Sequence, residues 1–209
     1  TALGAGYADV RVVRRLEETI NVKSGLVEGV ASGESEGFGV RVLVGGAWGF
    51  ASSHVLTLAE ADRVAAMAVR IARASATALR SPVVLDDRPA AQGRFETPLT
   101  EDPFAIPLER KIADLVAADR ALNAVPGIAW TESLYAAQRE WKTFAASDGS
   151  YTEQVITHVG SGLEANAIEG DEHQRRSYPD NGGRWASGGY EIVRGFDLLV
   201  ESGLMQHIL

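Results

Sequence analysis

The first fifty residues alternate between apolar and polar side chains in the way that half-exposed β-strands do. Residues 8–16 combine valine with interleaved arginine, and residues 19–24 and 26–32 continue the pattern on either side of Ser24-Gly25. Val40, Val42 and Val44 alternate with Arg41 and Leu43, which is the two-residue period of a strand. The pattern therefore predicts a β-rich beginning to the chain.

Two glycine-containing segments interrupt these strands. Gly45-Gly46 separates the valine strand from residues 47–51. Glycine pairs supply the positive φ angles of a tight turn, so an antiparallel hairpin is predicted here. The stretch Gly33 to Gly37 is acidic and rich in glycine, and it is predicted to be a flexible loop.

The period then changes to that of a helix. Thr57 and Glu60 form a Thr-x-x-Glu capping box, which predicts a helix from about Leu58 to the late seventies. Charged residues fall on one side of this helix and apolar residues on the other. The predicted apolar stripe is Val64, Met67, Ala68, Ile71 and Ala72.

The middle of the chain is rich in proline. Five of the seven prolines lie between Ser81 and Pro107, which predicts an extended connection that either wraps the first unit or links it to a second. Pro107 suits the first turn of another helix, which Pro126-Gly127 ends. Its predicted apolar stripe is Leu108, Ile112, Leu115, Val116 and Leu122.

Strand patterns return after Ile128. Asp148-Gly149 is a strong hairpin signal within this region. The glycine-rich stretch from Gly170 to Gly189 is predicted to be a mobile loop, and Phe196 to Leu209 to begin a last, apolar helix. The predicted strands form a meander of residues 128–138, 141–147, 151–159 and 163–168.

These elements predict an α+β fold in which antiparallel or mixed sheets carry packed amphipathic helices in two sub-domains. The predicted boundaries are a β-rich unit with one helix at residues 1–80, a connection at 81–106, and a helix-plus-meander unit at 107–209. The chain begins at Thr1 instead of a methionine, and it ends at Leu209 within the apolar stretch. We therefore expect that a longer natural protein continues beyond it.

Composition narrows the functional classes. The formal charge is -8, from 28 acidic and 20 basic residues, which argues against a nucleic-acid surface. The chain has no cysteine, so disulfides and thiolate sites are excluded and a cytoplasmic location is expected. No apolar run approaches the length of about 20 residues that spans a bilayer, so no membrane segment is expected.

Two patterns that suggest catalysis are weak in this context. Gly33-Glu34-Ser35-Glu36-Gly37 matches G-x-S-x-G, but a strand follows where a serine hydrolase needs a helix. A zinc site needs three or four converging ligands. The histidines are His54, His158, His173 and His207, and their spacing gives no such site, although His158 is expected to face Glu164 across a hairpin.

The remaining polar features are more simply structural. The glycines Gly182, Gly183, Gly188 and Gly189 lack the strand-glycine-helix order of a nucleotide site and indicate a loop. The arginines Arg175, Arg176 and Arg184 form a small basic patch that is expected to meet a carboxylate or a partner subunit. Core or interface positions are expected for the tryptophans Trp48, Trp130, Trp141 and Trp185. No catalytic, cofactor or metal residue is assigned.

The ordered series of segments resembles the N-terminal part of the TldD/PmbA proteins, the TldD branch above all. These proteins are known as zinc metallopeptidases and as modulators of DNA gyrase. The resemblance runs from about residue 7 to residue 200. Its first part is carried by YADVRVVRRLEETINVKSGLVEGV, GFGVRVLVGGAWGFASS and LTLAEADRVAAMAVRIARA. Its second part is carried by Asp102-Pro103-Phe104, Lys111, Ser147-Asp148-Gly149-Ser150, Gly182-Gly183 and Gly189-Tyr190-Glu191.

The resemblance implies a zinc peptidase that trims unfolded peptides and acts as a homodimer or as a heterodimer with a related subunit. It places a His-Glu-x-x-x-His zinc motif in a further, C-terminal domain. That motif does not occur in these 209 residues, so this chain alone is expected to hold no zinc and to cleave no peptide. Two functions stay open: the substrate-channel and assembly region of such a peptidase, or a stand-alone module that binds peptides or proteins.

Overall fold

The computed structural model describes residues 4–87 and 89–205, and the side chains as far as residue 202. The fold is α+β, as predicted, and the chain separates into two compact units. Unit 1 comprises Thr1–Arg15, Glu34–Glu96 and Glu140–Val155, and unit 2 comprises Leu16–Gly33, Thr97–Arg139 and Ile156–Leu209. This grouping follows spatial contacts, so the division into consecutive segments 1–80, 81–106 and 107–209 stays a prediction.

Four long strands contribute residues to both units. The strands are β1 (Tyr7–Lys23), β2 (Leu26–Val44), β3 (Ala47–Ser53), β4 (Gln92–Glu96), β5 (Ile128–Ala146), β6 (Tyr151–Glu169), β7 (Glu172–Tyr178) and β8 (Arg184–Ser187). The helices are α1 (Leu58–Ala76), α2 (Leu108–Asn123), α3 (Tyr190–Gly195) and α4 (Leu198–Met205).

In unit 1 the strand order is β3-β2-β1-β5-β6-β4. β2 and β3 are antiparallel, with Val44 opposite Ala47, and both glycines of the Gly45-Gly46 turn have positive φ. The predicted hairpin is therefore confirmed. The edge strand β4 pairs with β6 in parallel, and it lies inside the proline-rich segment that was predicted to be only an extended connection.

Helix α1 begins where its cap predicts. Thr57 Oγ1 accepts a hydrogen bond from the Glu60 N–H at 3.3 Å. The Glu60 carboxylate does not return to the cap: it binds Arg63, and this hydrogen bond lowers the pKa of Glu60 to about 2. The buried face differs from the predicted stripe, because Met67 and Ile71 are partly exposed. The buried residues of α1 are Val64, Ala68, Val69 and Ala72.

Unit 2 has its core between α2 and its sheet. Its strand order is β2-β1-β5-β6, and β7 and β8 both pair with β6 in antiparallel fashion. The predicted stripe of α2 is confirmed, since all five of its residues are buried in this core or packed against it. The fully buried core residues include Ile20, Val22, Leu122, Val159 and Leu163.

Two of three predictions about the second half of the chain are wrong in detail. The four predicted meander strands are two long strands, β5 and β6, because neither is interrupted between its ends. The Asp148-Gly149 hairpin is confirmed, as a four-residue connection in which Gly149 has φ of 91°. The stretch Gly170 to Gly189, predicted to be a mobile loop, contains β7 and β8 instead. Both strands pair with β6 in antiparallel fashion.

The last helix begins at Leu198, within the predicted stretch. Leu199 and Val200 are more than half exposed. The rest of the predicted apolar face involves the side chains of Leu204, Met205, Ile208 and Leu209, which lie outside the described residues. No helix of the described part of the chain is long and apolar enough to cross a membrane.

Candidate functional site

The histidines do not converge. His54 follows β3, and His173 on β7 stacks on Trp130 with ring centroids 5.5 Å apart and contacts Asn166 Oδ1 at 3.0 Å. His158 and Glu164 both belong to β6, so the predicted pairing across a hairpin is wrong. His207 lies outside the described residues. Among the described residues no group of three or more His, Asp or Glu side chains is placed to hold a metal, so this part of the chain does not fit a zinc centre.

The G-x-S-x-G stretch lies inside a strand. β2 runs from Leu26 to Val44, so the predicted loop from Gly33 to Gly37 is wrong. Ser35 is exposed on that strand, and no helix follows it to form a nucleophile elbow. Glu34 makes a salt bridge with Arg14 of β1, and both side chains are about half exposed.

The glycines near the end of the chain serve backbone packing. A Cβ on Gly162 of β6 would lie 2.4 Å from Gly183 Cα, so the two segments approach more closely than side chains permit. The close approach of two backbones therefore explains why glycines occur here, and no phosphate ligand is needed to explain them.

The predicted basic patch is largely neutralised by carboxylates. Arg175 pairs with Glu164, and this hydrogen bond lowers the pKa of the Glu164 carboxyl. Arg184 pairs with Asp180 at 2.7 Å. The expectation that these arginines meet a carboxylate is confirmed for both pairs.

The tryptophans stand outside the buried core. Arg14 lies over the Trp141 ring at 5.1 Å, and Arg41 lies over the Trp48 ring at 4.5 Å. Trp185 is 55% exposed. None of the four is fully buried, so a core role is wrong for them, while an interface role stays a prediction.

Sequence reasoning missed three polar contacts in unit 2. Lys111 is 1% exposed, and its Nζ donates to Glu18 Oε1 at 2.5 Å. Asp119 Oδ1 accepts from Gly25 N at 2.5 Å and from Thr131 Oγ1 at 2.8 Å. A sequence signal for the first two contacts exists in α2, because Lys111 and Asp119 occupy the same helical face as the buried Leu115 and Leu122. This position predicts that both side chains are buried.

The third contact joins Asp102 to Arg139 and positions the segment that leads into α2. Asp102 accepts two hydrogen bonds from Arg139, at 2.9 and 3.1 Å, and Arg139 also donates to Thr157 Oγ1 at 2.9 Å. The Phe104 N–H donates to Asp102 Oδ1, so the Asp102-Pro103-Phe104 segment is held at the start of the helix. These contacts organise unit 2.

An unpaired strand edge is the feature of unit 2 that is best suited to binding. The neighbours of β2 are β1 and β3, and its pairing with β3 begins only at Phe38. No other described strand therefore pairs with the outer side of residues 26–33, which we name the 26–33 edge. Leu26, Val27 and Val30 are exposed there by 69%, 44% and 43%.

The backbone of the 26–33 edge is chemically open. Alternate residues of an edge strand present unpaired N–H and C=O groups, which can accept a further strand. The segment contains no proline and one charged residue, Glu28, so it lacks the usual features that block such pairing. A Cβ on Gly29 would meet nothing within 4 Å, so the face of the sheet toward which it points is open at this residue.

A groove of about 300 Å³ crosses the face of the sheet in unit 2, and Glu28 is the one residue of the 26–33 edge that lines it. It is lined by Glu28, Glu132 and Glu164 together with Asn21 and the backbone at Gly162. Lys23 binds Glu132 at 3.0 Å.

Two family models match the chain. Residues 8–72 match the model described as PmbA/TldA metallopeptidase domain 1. Residues 101–201 match the model described as PmbA/TldA metallopeptidase central domain. A metalloprotease of Methanothermobacter thermautotrophicus is 29% identical over 192 residues, which cover 92% of this chain and 40% of that protein. A metalloprotease of Methanocaldococcus jannaschii is 29% identical over 105 residues, which cover 50% of this chain and 23% of that protein.

Solved structures show the same fold. A proposed modulator of DNA gyrase from Bacteroides thetaiotaomicron has a TM-score of 0.71 at 16% identity, over 90% of this chain and 42% of that one. TldE from Thermococcus kodakarensis has a TM-score of 0.65 at 11% identity, over 89% of this chain and 40% of that one. The chain thus spans less than half the length of each of these relatives.

Proposed function

Because the chain belongs to the TldD/PmbA family of metallopeptidases, we propose that it is the substrate-channel and assembly region of a zinc-dependent peptidase that acts on unfolded peptides. The observation that carries this proposal is the 26–33 edge, with its exposed apolar side chains and unpaired backbone. The described residues form no metal site, so in this proposal a further domain holds the zinc and performs the cleavage.

Strand addition suits a peptidase that must accept many sequences. The backbone groups of the edge bind any extended peptide, while side-chain positions next to it add modest selectivity. Each new backbone hydrogen bond contributes about 0.5–1.5 kcal/mol, so four or five of them give measurable but reversible binding. A folded protein offers no free extended segment, which restricts the substrates to unfolded peptides.

The other partners follow from charge and composition. Direct binding to DNA is not proposed, because the net charge is -8 and Arg175 and Arg184 are paired with carboxylates. We propose instead that any effect on gyrase is indirect. We also propose that the protein acts in the cytoplasm, as a homodimer or as a heterodimer with a related subunit.

The alternative is a stand-alone module that binds peptides or proteins without cleaving them. The same edge supports it, and the absence of a metal group among the described residues favours it as far as this chain goes. The gene downstream of Leu209 discriminates between the two. Chelator-sensitive hydrolysis of unstructured peptides by the protein with its downstream part supports the peptidase, and peptide binding without hydrolysis supports the module.

The edge makes a direct prediction about binding. Val30→Lys should weaken the affinity of the 209-residue chain for an uncharged, unstructured octapeptide by about tenfold, because a lysine on an edge strand opposes pairing. Isothermal titration calorimetry measures the affinity. The same peptide with alternate backbone nitrogens methylated should also bind weakly to the unsubstituted chain, since it has lost donors for the added strand.

The matched control is Val84→Lys. Val84 is 85% exposed in the segment before β4, so the substitution adds the same charge away from the edge. Equal affinities for the Val30→Lys and Val84→Lys chains would reject the edge as the binding surface, and so would full affinity for the methylated peptide.

A further inference from the structure

A second strand edge with unpaired backbone groups lies in unit 1, on the outer side of β3. β3 stands at the end of the strand order, so β2 is its one partner among the described strands. Val44 lies opposite Ala47 across a two-residue turn, and the residues that flank such a turn exchange hydrogen bonds. The residues that point their N–H and C=O groups away from β2 are therefore Trp48, Phe50 and Ser52, which we name the β3 edge.

The β3 edge is open to a further strand. No N–H or C=O group of its three residues takes part in a hydrogen bond within the described part of the chain. Phe50 is 58% exposed, and Ser52 is exposed as well. A Cβ on Gly49 would meet the α1 backbone, so the neighbouring Phe50 side chain lies on the opposite face of the sheet. β3 contains no charged residue and no proline, so it lacks the features that commonly block strand addition.

Helix α1 packs on β3, and one of its flanks lies beside the β3 edge. Glu60, Met67 and Ile71 share this flank, because their spacings are close to whole turns of a helix. The Glu60 carboxylate accepts a hydrogen bond from Ser53 at the end of β3. Val69 lies on the opposite flank and is buried in the core of unit 1. The flank with Met67 and Ile71 is therefore the one on the outer side of β3.

This flank of α1 is apolar and partly uncovered. Met67 and Ile71 are exposed by 39% and 36%, although both belong to the stripe that the sequence predicts to be buried. Glu60 is paired with Arg63, so it presents no free carboxylate. A strand added to the β3 edge would lie about 4.8 Å outside β3 and would turn alternate side chains toward α1 and toward the face that carries Phe50. Both surfaces favour aliphatic side chains over charged ones.

We propose that the β3 edge binds an extended, uncharged segment of a peptide as an added strand, whose aliphatic side chains contact Met67 and Ile71 on one face or Phe50 on the other. The inference rests on the proposed function in taking a peptide as the ligand. It goes beyond that function in placing a second peptide site in unit 1, with helix α1 as one of its walls and with a preference for aliphatic residues.

The test uses the peptide acetyl-Thr-Val-Thr-Val-Thr-amide as the probe and the 209-residue chain. Titration followed by ¹⁵N-¹H NMR should give saturable shifts at the amides of the β3 edge, with a dissociation constant in the millimolar range. Acetyl-Thr-Gly-Thr-Gly-Thr-amide lacks the valine side chains, so it should bind at least about threefold more weakly.

Amide hydrogen exchange tests the edge itself. In the free chain the amides of Phe50 and Ser52 should exchange faster than those of Gly49 and Ala51, which point toward β2. The probe at about nine-tenths saturation should slow exchange of the Phe50 amide by about tenfold, because only the unbound chain then exchanges it.

Two variants test the two faces of the site. Phe50→Lys should weaken probe binding by about tenfold, because a lysine on an edge strand opposes pairing, whereas Val84→Lys adds the same charge elsewhere in unit 1 and should leave binding unchanged. Ile71→Ala should weaken binding by about threefold, because it removes apolar surface from α1. Its control is Leu79→Ala, since Leu79 is 39% exposed just beyond the end of α1.

Several results would overturn the inference. They are the absence of saturable shifts in β3, equal probe affinities for a variant and its control, and slow exchange of the Phe50 amide in the free chain. Protection of that amide that rises with the concentration of the chain would assign the β3 edge to a second copy instead of a peptide. Val30→Lys should leave the probe shifts in β3 unchanged, so the 26–33 edge and the β3 edge fail or stand separately.

Discussion

Glu18→Gln should lower the free energy of unfolding by about 3 kcal/mol or more, which is the usual cost of removing one partner from a buried ion pair. Lys111 is 1% exposed and Glu18 has a side-chain exposure of 16%, so the bulk solvent gives the ammonium little compensation. The Lys111 Nζ also lies 5.2 Å from the centre of the Tyr135 ring, which is a weaker partner than a carboxylate. Chemical denaturation followed by circular dichroism measures the change.

The double substitution Glu18→Leu with Lys111→Met tests the cause of this destabilisation. Replacing both members of a buried ion pair with apolar side chains is often neutral or stabilising, because both desolvation costs disappear together. The double variant should therefore be far more stable than the Glu18→Gln chain. This outcome would identify an unpaired buried charge, and not lost side-chain packing, as the cause of the destabilisation.

The control is a pair on the surface of the same unit. Asp180 and Arg184 are both about half exposed, so Asp180→Asn should cause no measurable change in stability. If Glu18→Gln were equally harmless, the burial assigned to this pair would be wrong. If the double variant were as unstable as the single one, the effect would come from packing.

Local signals in the sequence explain which elements were predicted. The Gly45-Gly46 turn depends on two neighbouring residues that tolerate positive φ, and α1 begins at a threonine that caps its own first turn. Both need only a few adjacent residues, so the sequence contains their whole cause. The α+β class followed from these elements and from the valine-rich strands.

Long-range contacts explain what was missed. The stretch Gly33 to Gly37 has the composition of a loop, yet it continues β2, which lies beside β1 in the sheet, and Arg14 of β1, 20 residues earlier, binds Glu34. Glu18 and Lys111 are 93 residues apart in sequence, so no local pattern joins them. The strands β7 and β8 were missed for the same reason. Their composition is that of a mobile loop, and they form strands by pairing with β6.

The sequence predicted that the chain binds peptides, but it did not predict which residues form the binding site. Peptide binding was expected, but finding a free strand edge requires the strand order and the register at which β2 meets β3. Zinc in a further domain stays a prediction from the family resemblance.

Gly49→Ala should lower the free energy of unfolding by about 3 kcal/mol or more, at or above the usual upper limit for an overpacked core. A Cβ on Gly49 of β3 would lie 2.1 Å from the Ala68 carbonyl oxygen and 2.5 Å from the Ala72 nitrogen. Both atoms belong to the backbone of α1, so no change of rotamer relieves the clash and the helix itself must move away from the sheet. That movement would open the buried contacts of Val64, Ala68 and Ala72 in unit 1.

Gly93→Ala is the control for Gly49→Ala, because it makes the same change in the edge strand β4 of the same unit, where a Cβ would meet nothing within 4 Å. It should be neutral or should stabilise the chain slightly, since alanine reduces the freedom of the unfolded state. Thermal and urea denaturation of the two variants measure the contrast. Equal stabilities would mean that α1 does not lie against β3 as closely as described, whereas a loss confined to Gly49→Ala ties this glycine to the contact between helix and sheet.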